Sequence, residues 1–133
     1  MPENVEVVRR VIDAINRADF EAVVASFSAD FEFDFSNSRG PMSGVYHGRD
    51  GAKDFLTSFF EPFAAVEFVA GEVVPLEDGR VLTVTPVRAR GQESGIETAA
   101  TGASIWTIRE GEVVAITLYQ SKDEALAAAS AER

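Results

Sequence analysis

Gly44-Val45-Tyr46-His47-Gly48-Arg49-Asp50-Gly51-Ala52-Lys53-Asp54-Phe55-Leu56 reads as a loop, a tight glycine turn and the opening of an amphipathic helix. It also holds the chain's only histidine. Asp50 is placed to cap that helix, because a short side-chain oxygen can accept from a free first-turn N–H. Ala52, Phe55, Leu56, Phe59 and Phe60 recur at helical spacing and form a wide apolar stripe. Pro62 is expected to end it.

Working upstream, Phe31-Glu-Phe-Asp-Phe35 alternates strictly, the period of a half-buried strand. Its phenylalanines share one face, and Glu32 and Asp34 the other. Residues from about 4 to 17 show helical spacing through Val5, Val8, Val11, Ile12 and Ile15, with Asn4 as the expected cap. Asp19 opens a second short helix through Phe20, Val23, Val24 and Phe27. The short link between the two predicts a helical hairpin.

Downstream the pattern becomes β. Val66–Val74, Val81–Ala89, Ile96–Ile108 and Val113–Tyr119 are the candidate strands, with compact turns at Glu77–Arg80 and Glu110–Gly111. Ser121-Lys-Asp-Glu124 fits a capping box ahead of a short alanine-rich helix. Helices first and antiparallel strands later make an α+β layout, read as one domain over 1–133. A long sheet twists and bends, and helices closing it leave a natural apolar pocket.

Composition narrows the function. A formal charge of -10 argues against nucleic acid and against anionic lipid surfaces, both of which call for basic residues. With no cysteine there is no thiolate chemistry and no cysteine metal site. One histidine without a histidine or cysteine partner is a poor metal signal, so no metal or cofactor is expected. No apolar run approaches the roughly 20 residues that span a bilayer, and the acidic N-terminus lacks a basic signal-peptide start. Cytoplasmic residence is the expectation.

The order of elements resembles the NTF2-like superfamily, in its SnoaL-like and ketosteroid-isomerase-like branch. The resemblance is carried by Asn16-Arg-Ala-Asp-Phe-Glu-Ala-Val23, Phe27-Ser-Ala-Asp30, Tyr46-His-Gly-Arg49, Trp106-Thr-Ile-Arg-Glu-Gly111 and Leu118-Tyr-Gln-Ser-Lys-Asp-Glu-Ala-Leu126. It implies a cone: a curved, mostly antiparallel sheet wrapped around N-terminal helices, with an internal cavity and pairing as a homodimer. It does not select a reaction, because the family includes isomerases, cyclases and non-catalytic binders.

Ketosteroid isomerases pair a carboxylate base with an oxyanion hole made by a tyrosine and a protonated aspartate. Gapless matching to that pattern puts Val11 at the tyrosine, Phe35 at the base and Ser104 at the aspartate. Asp34 lies one residue early, which on a strand points it to the opposite face. It reaches the cavity only if a bulge intervenes before the Ser36–Gly44 loop. Asp34 and His47 are therefore the candidate acid–base residues, with His47 alternatively a structural landmark of the turn.

The expected pocket lining is mainly apolar: Val11, Ile15, Phe33, Phe35 and Phe55, with Tyr46, Ser104, Trp106, Ile116 and Gln120. Arg88 and Arg90 stand either at a cavity mouth or on an exposed sheet face. Three readings follow. The first is an isomerase- or cyclase-like enzyme acting by proton transfer on a small hydrophobic molecule. The second is a non-catalytic binder of such a molecule. The third is a dimeric interaction module whose cone is filled by phenylalanine.

Overall fold

Val8, Val11 and Ile12 are buried on one side of the first helix, as their spacing requires. In the computed structural model, which describes residues 2–37, 43–61, 63–68, 71–76, 78–91 and 93–131, this helix is α1 (Pro2–Asn16). It begins earlier than expected, so Asn4 is inside it rather than its cap. The Asn4 side-chain amide instead donates to the Gly79 carbonyl at 2.7 Å, tying α1 to a distant turn. Ala18 takes a left-handed φ of 52°, and the Asp19 N–H returns to the Ala14 carbonyl, closing α1. Asp19 then caps α2 (Phe20–Ala25) by accepting from the Ala22 N–H at 3.2 Å.

α2 stops at Ala25, short of the expected Phe27. The Val113 N–H donates to the Ser26 carbonyl, which draws the chain into β1 (Phe27–Asp34) at the next residue. After the loop come β2 (Val45–His47) and α3 (Gly48–Phe60). The N-cap of α3 is His47, through its extended backbone and with no side-chain bond; Asp50 lies inside the first turn. Gly48 has φ +74°, the left-handed region glycine enters without strain. Pro62 lies outside the described residues.

The remaining strands are β3 (Phe63–Phe68), β4 (Glu72–Pro75), β5 (Val81–Gly91), β6 (Glu97–Arg109) and β7 (Glu112–Tyr119), before α4 (Lys122–Ala131). The expected single strand Val66–Val74 is thus two strands, both on the same edge of β5. Between them a Cβ on Gly71 would stand 2.8 Å from the Val84 carbonyl oxygen, so the backbone there passes too close to β5 for any other residue. The sheet runs β2-β1-β7-β6-β5-β3, antiparallel throughout except for the parallel β1–β7 pair. Glu110 and Gly111, with φ of 53° and 81°, make the two-residue turn that joins β6 to β7.

Alternation along the strands gives the sheet two apolar faces. The inner face packs Phe27, Phe31, Val81, Trp106 and Ile116 against α1, α2 and α3. The outer face packs Leu82, Ala103 and Ile105 against Ala125 and Ala129 of α4. The Ser121 hydroxyl caps α4 by accepting from the Glu124 N–H at 3.1 Å, and Glu124 reaches back to the Gln120 N–H.

Candidate functional site

A cavity of about 340 Å³ lies between the inner sheet face and the three N-terminal helices. Its helical wall is Val11, Ile12 and Ile15 of α1, Val23 of α2, and one face of α3 including Phe55 and Phe59. Phe27, Phe31, Phe33 and Phe35 enter from β1, and eight of the chain's ten phenylalanines border the space. Phe27 and Phe31 stack, whereas Phe33 and Phe55 meet edge to face, 4.8 Å apart at 80°. The edge-to-face geometry sets the positive edge of one ring against the negative face of the next. These rings line the cavity without filling it.

The sheet side is more polar. Thr83 and Thr85 project from β5, and Ser104 and Trp106 from β6. The Trp106 indole N–H donates to the Thr83 hydroxyl at 3.0 Å. Ile116, Leu118, Tyr119 and Gln120 complete the wall from the end of β7. The Gln120 side-chain amide donates to the Asn37 carbonyl, and the Asn37 side chain donates to the Leu118 carbonyl. This clasp holds the start of the β1–β2 loop against the cavity rim.

Among the described residues no aspartate, glutamate, histidine, lysine or arginine borders the cavity. Asp34 is on the other face of β1, because pairing runs without a break from Glu32 to Asp34 against both β2 and β7. The irregularity in β1 falls earlier, between Phe27 and Glu32, where it cannot reverse Asp34. Asp34 Oδ1 accepts from the Ser36 N–H at 3.0 Å and the Ser36 hydroxyl at 2.5 Å. His47 is exposed at the start of α3. Tyr46 is outside the lining, with its ring 4.9 Å from that of Phe55. Of the expected lining, Val11, Ile15, Phe33, Phe35, Phe55, Ser104, Trp106, Ile116 and Gln120 border the cavity.

Arg49 carries the structural weight of the His47–Arg49 turn. Its Nε donates to the Phe27 carbonyl at 2.9 Å and its guanidinium approaches Glu112 at 3.6 Å. Arg88 and Arg90 are exposed on the outer face, Arg88 beside Glu67 and Arg90 in register with Glu97. Two displaced ionisable groups also lie away from the cavity. A hydrogen bond from Lys53 to Glu21, reinforced by the Glu21 charge, holds the ammonium above its ordinary value. Burial pushes Asp78 up, but hydrogen bonds and charge from Arg80 outweigh it and hold the carboxyl low. Among the described residues no three potential metal ligands are gathered, and no helix is long and apolar enough to cross a membrane.

The sequence profile of the SnoaL-like domain matches residues 8–116. The chain belongs to the SnoaL-like family. No curated protein matches it by sequence. An NTF2-like protein from Burkholderia pseudomallei superposes with a TM-score of 0.78 at 19% identity, over 96% of this chain and 97% of that one. A putative polyketide cyclase from Xanthomonas campestris pv. campestris gives 0.77 at 21% identity, over 95% and 96%. A Mycobacterium tuberculosis protein in complex with estradiol-17beta-hemisuccinate gives 0.78 at 10% identity, over 92% and 96%. At these identities the likeness is one of fold: the NTF2-like α+β cone.

Within that SnoaL-like fold, Val11, Phe35 and Ser104 all border the cavity. These are the positions that matching assigned to the isomerase tyrosine, base and aspartate. The cavity surface at those points is an aliphatic side chain, an aromatic ring and a neutral hydroxyl. Sequence reading missed Thr83 and Thr85, although Val81-Leu-Thr-Val-Thr85 alternates and the first inward residue, Val81, is fully buried.

Proposed function

We infer that this SnoaL-like protein binds a small, uncharged, hydrophobic molecule in the cone and does not transform it. The observation that carries this reading is the lining: about 340 Å³ of space, mostly aromatic and aliphatic, with no aspartate, glutamate, histidine, lysine or arginine among the described residues that border it. Such a volume suits a small ligand, whose apolar surface supplies the driving force on burial. Proton transfer near neutral pH calls for a group that titrates there and touches the reacting atom. Asp34 is held by Ser36 on the outer side of β1, and His47 faces solvent. The estradiol ester bound by the Mycobacterium tuberculosis neighbour supports a small-molecule role for a cone of this kind.

The test is incubation with neutral polycyclic ketones, followed by separation and mass analysis of the ligand. Trp106, the sole tryptophan, stands in the cavity wall and reports occupancy by its fluorescence. Saturable quenching with the ketone recovered unchanged is the expected result. A ligand-dependent product would instead establish an enzyme.

Pairing of two copies through the outer sheet face is part of the same reading. α4 covers Leu82 and Ile105 there, which leaves the β3–β5 side, with Arg88 and Glu67, for a partner. Sedimentation velocity distinguishes one copy from two.

A further inference from the structure

Thr83 and Ser104 are directly opposite each other across the antiparallel β5–β6 pair, and both side chains enter the cavity. Thr85 follows two residues along β5, on the same face, opposite Gly102. Since Gly102 has no side chain, nothing from β6 covers the Thr85 hydroxyl at that register. Thr83 accepts the Trp106 N–H and keeps its own O–H for donation. Among the described residues the hydroxyls of Thr85 and Ser104 have no hydrogen-bond partner. The wall across the cavity, formed by Val11, Ile15, Phe55 and Phe59, offers neither donor nor acceptor.

We propose that Thr83, Thr85 and Ser104 form a neutral polar pole that recognises a carbonyl or hydroxyl oxygen at one end of an aromatic or polycyclic ligand. The proposal rests on the binding reading above and adds the ligand's chemistry and orientation. Hydroxyls both donate and accept, so they serve a carbonyl and a hydroxyl equally. They carry no charge, so a carboxylate would be buried without a counter-ion, at a large cost. The ligand's rings then face the phenylalanines of β1 and α3, and its oxygen faces the sheet.

Equilibrium dialysis with 2-naphthol, 2-methylnaphthalene and 2-naphthoate at pH 8 tests this. The double variant Thr85→Val, Ser104→Ala removes two hydroxyls that no described protein group uses, and circular dichroism checks its fold. It should weaken 2-naphthol by about tenfold. Binding of 2-methylnaphthalene should stay the same or tighten. With the wild-type chain, 2-naphthoate should bind at least about tenfold more weakly than 2-naphthol. The conservative variant Thr85→Ser should retain 2-naphthol. Equal loss of 2-naphthol and 2-methylnaphthalene, no loss of either, or naphthoate binding as tight as naphthol would overturn the polar pole while leaving the binding reading standing. No binding of any probe to the wild-type chain would overturn both.

Discussion

The Trp106 indole N–H meets the Thr83 hydroxyl at 3.0 Å within the cavity wall, and both residues are almost fully buried. Trp106 pairs with Val81 in the β5–β6 register, so this bond runs diagonally along the inner face and fixes the indole plane. Thr83→Val would keep the shape and strand a buried donor, at a cost of about 1–3 kcal/mol. Thr83→Ser should recover most of it. Urea denaturation of the two variants reads the difference.

Arg49 and His47 are neighbours with opposite expected sensitivities. Arg49→Ala removes a charged donor from the Phe27 carbonyl and is expected to destabilise by about 0.5–2 kcal/mol. His47→Gln removes a side chain that caps nothing and should stay within about 0.5 kcal/mol of wild type. Comparing denaturation midpoints tests whether the guanidinium is what the His47–Arg49 turn supplies to the fold.

Asp78 and Arg80 close the turn before β5, and Arg80 also donates to the Ala129 carbonyl of α4 at 3.1 Å. The Asp78 carboxyl is held below its ordinary value, so it binds its proton less readily folded than unfolded. Its stabilising contribution is therefore present above the unfolded carboxylate pKa of about 3.9 and lost as pH falls through the lower folded value. Asp78 is partly exposed, so the effect is small. Asp78→Asn should flatten the acid limb of the stability–pH curve below about pH 4 and leave the alkaline limb unchanged.

The double variant Asp34→Asn, His47→Gln is expected to keep the wild-type affinity for 2-naphthol. Neither side chain borders the space a ligand would occupy. A loss of more than about fivefold in dialysis would place one of them at the ligand after all.

Much of this was readable from pattern because alternation and helical period report which face is buried. Phe31, Phe33 and Phe35 turn inward as their spacing demands, and the same rule sends Asp34 outward. What pattern missed depends on partners distant in sequence. Asn4 looks like a cap until the Gly79 carbonyl draws it away. β2 is three residues long, too short to display a period, and exists because Glu32–Asp34 present a free edge to it. The break at Gly71 follows from the approach of Val84, about which neighbouring residues say nothing. Thr83 and Thr85 went unremarked because threonine is ordinary in strands; only the β5–β6 register brings them beside Ser104.

Filling the cavity tests directly whether ligand enters it. Ile116 and Val87 border the space from different strands. Ile116→Phe and Val87→Phe each place an aromatic ring where the ligand would lie. Equilibrium dialysis of 2-naphthol against wild type and both variants, with folding verified by denaturation, is the decisive measurement. One saturable site is expected in the wild type, with at least about tenfold weaker binding in each folded variant. Undiminished binding in both would contradict binding in this cavity.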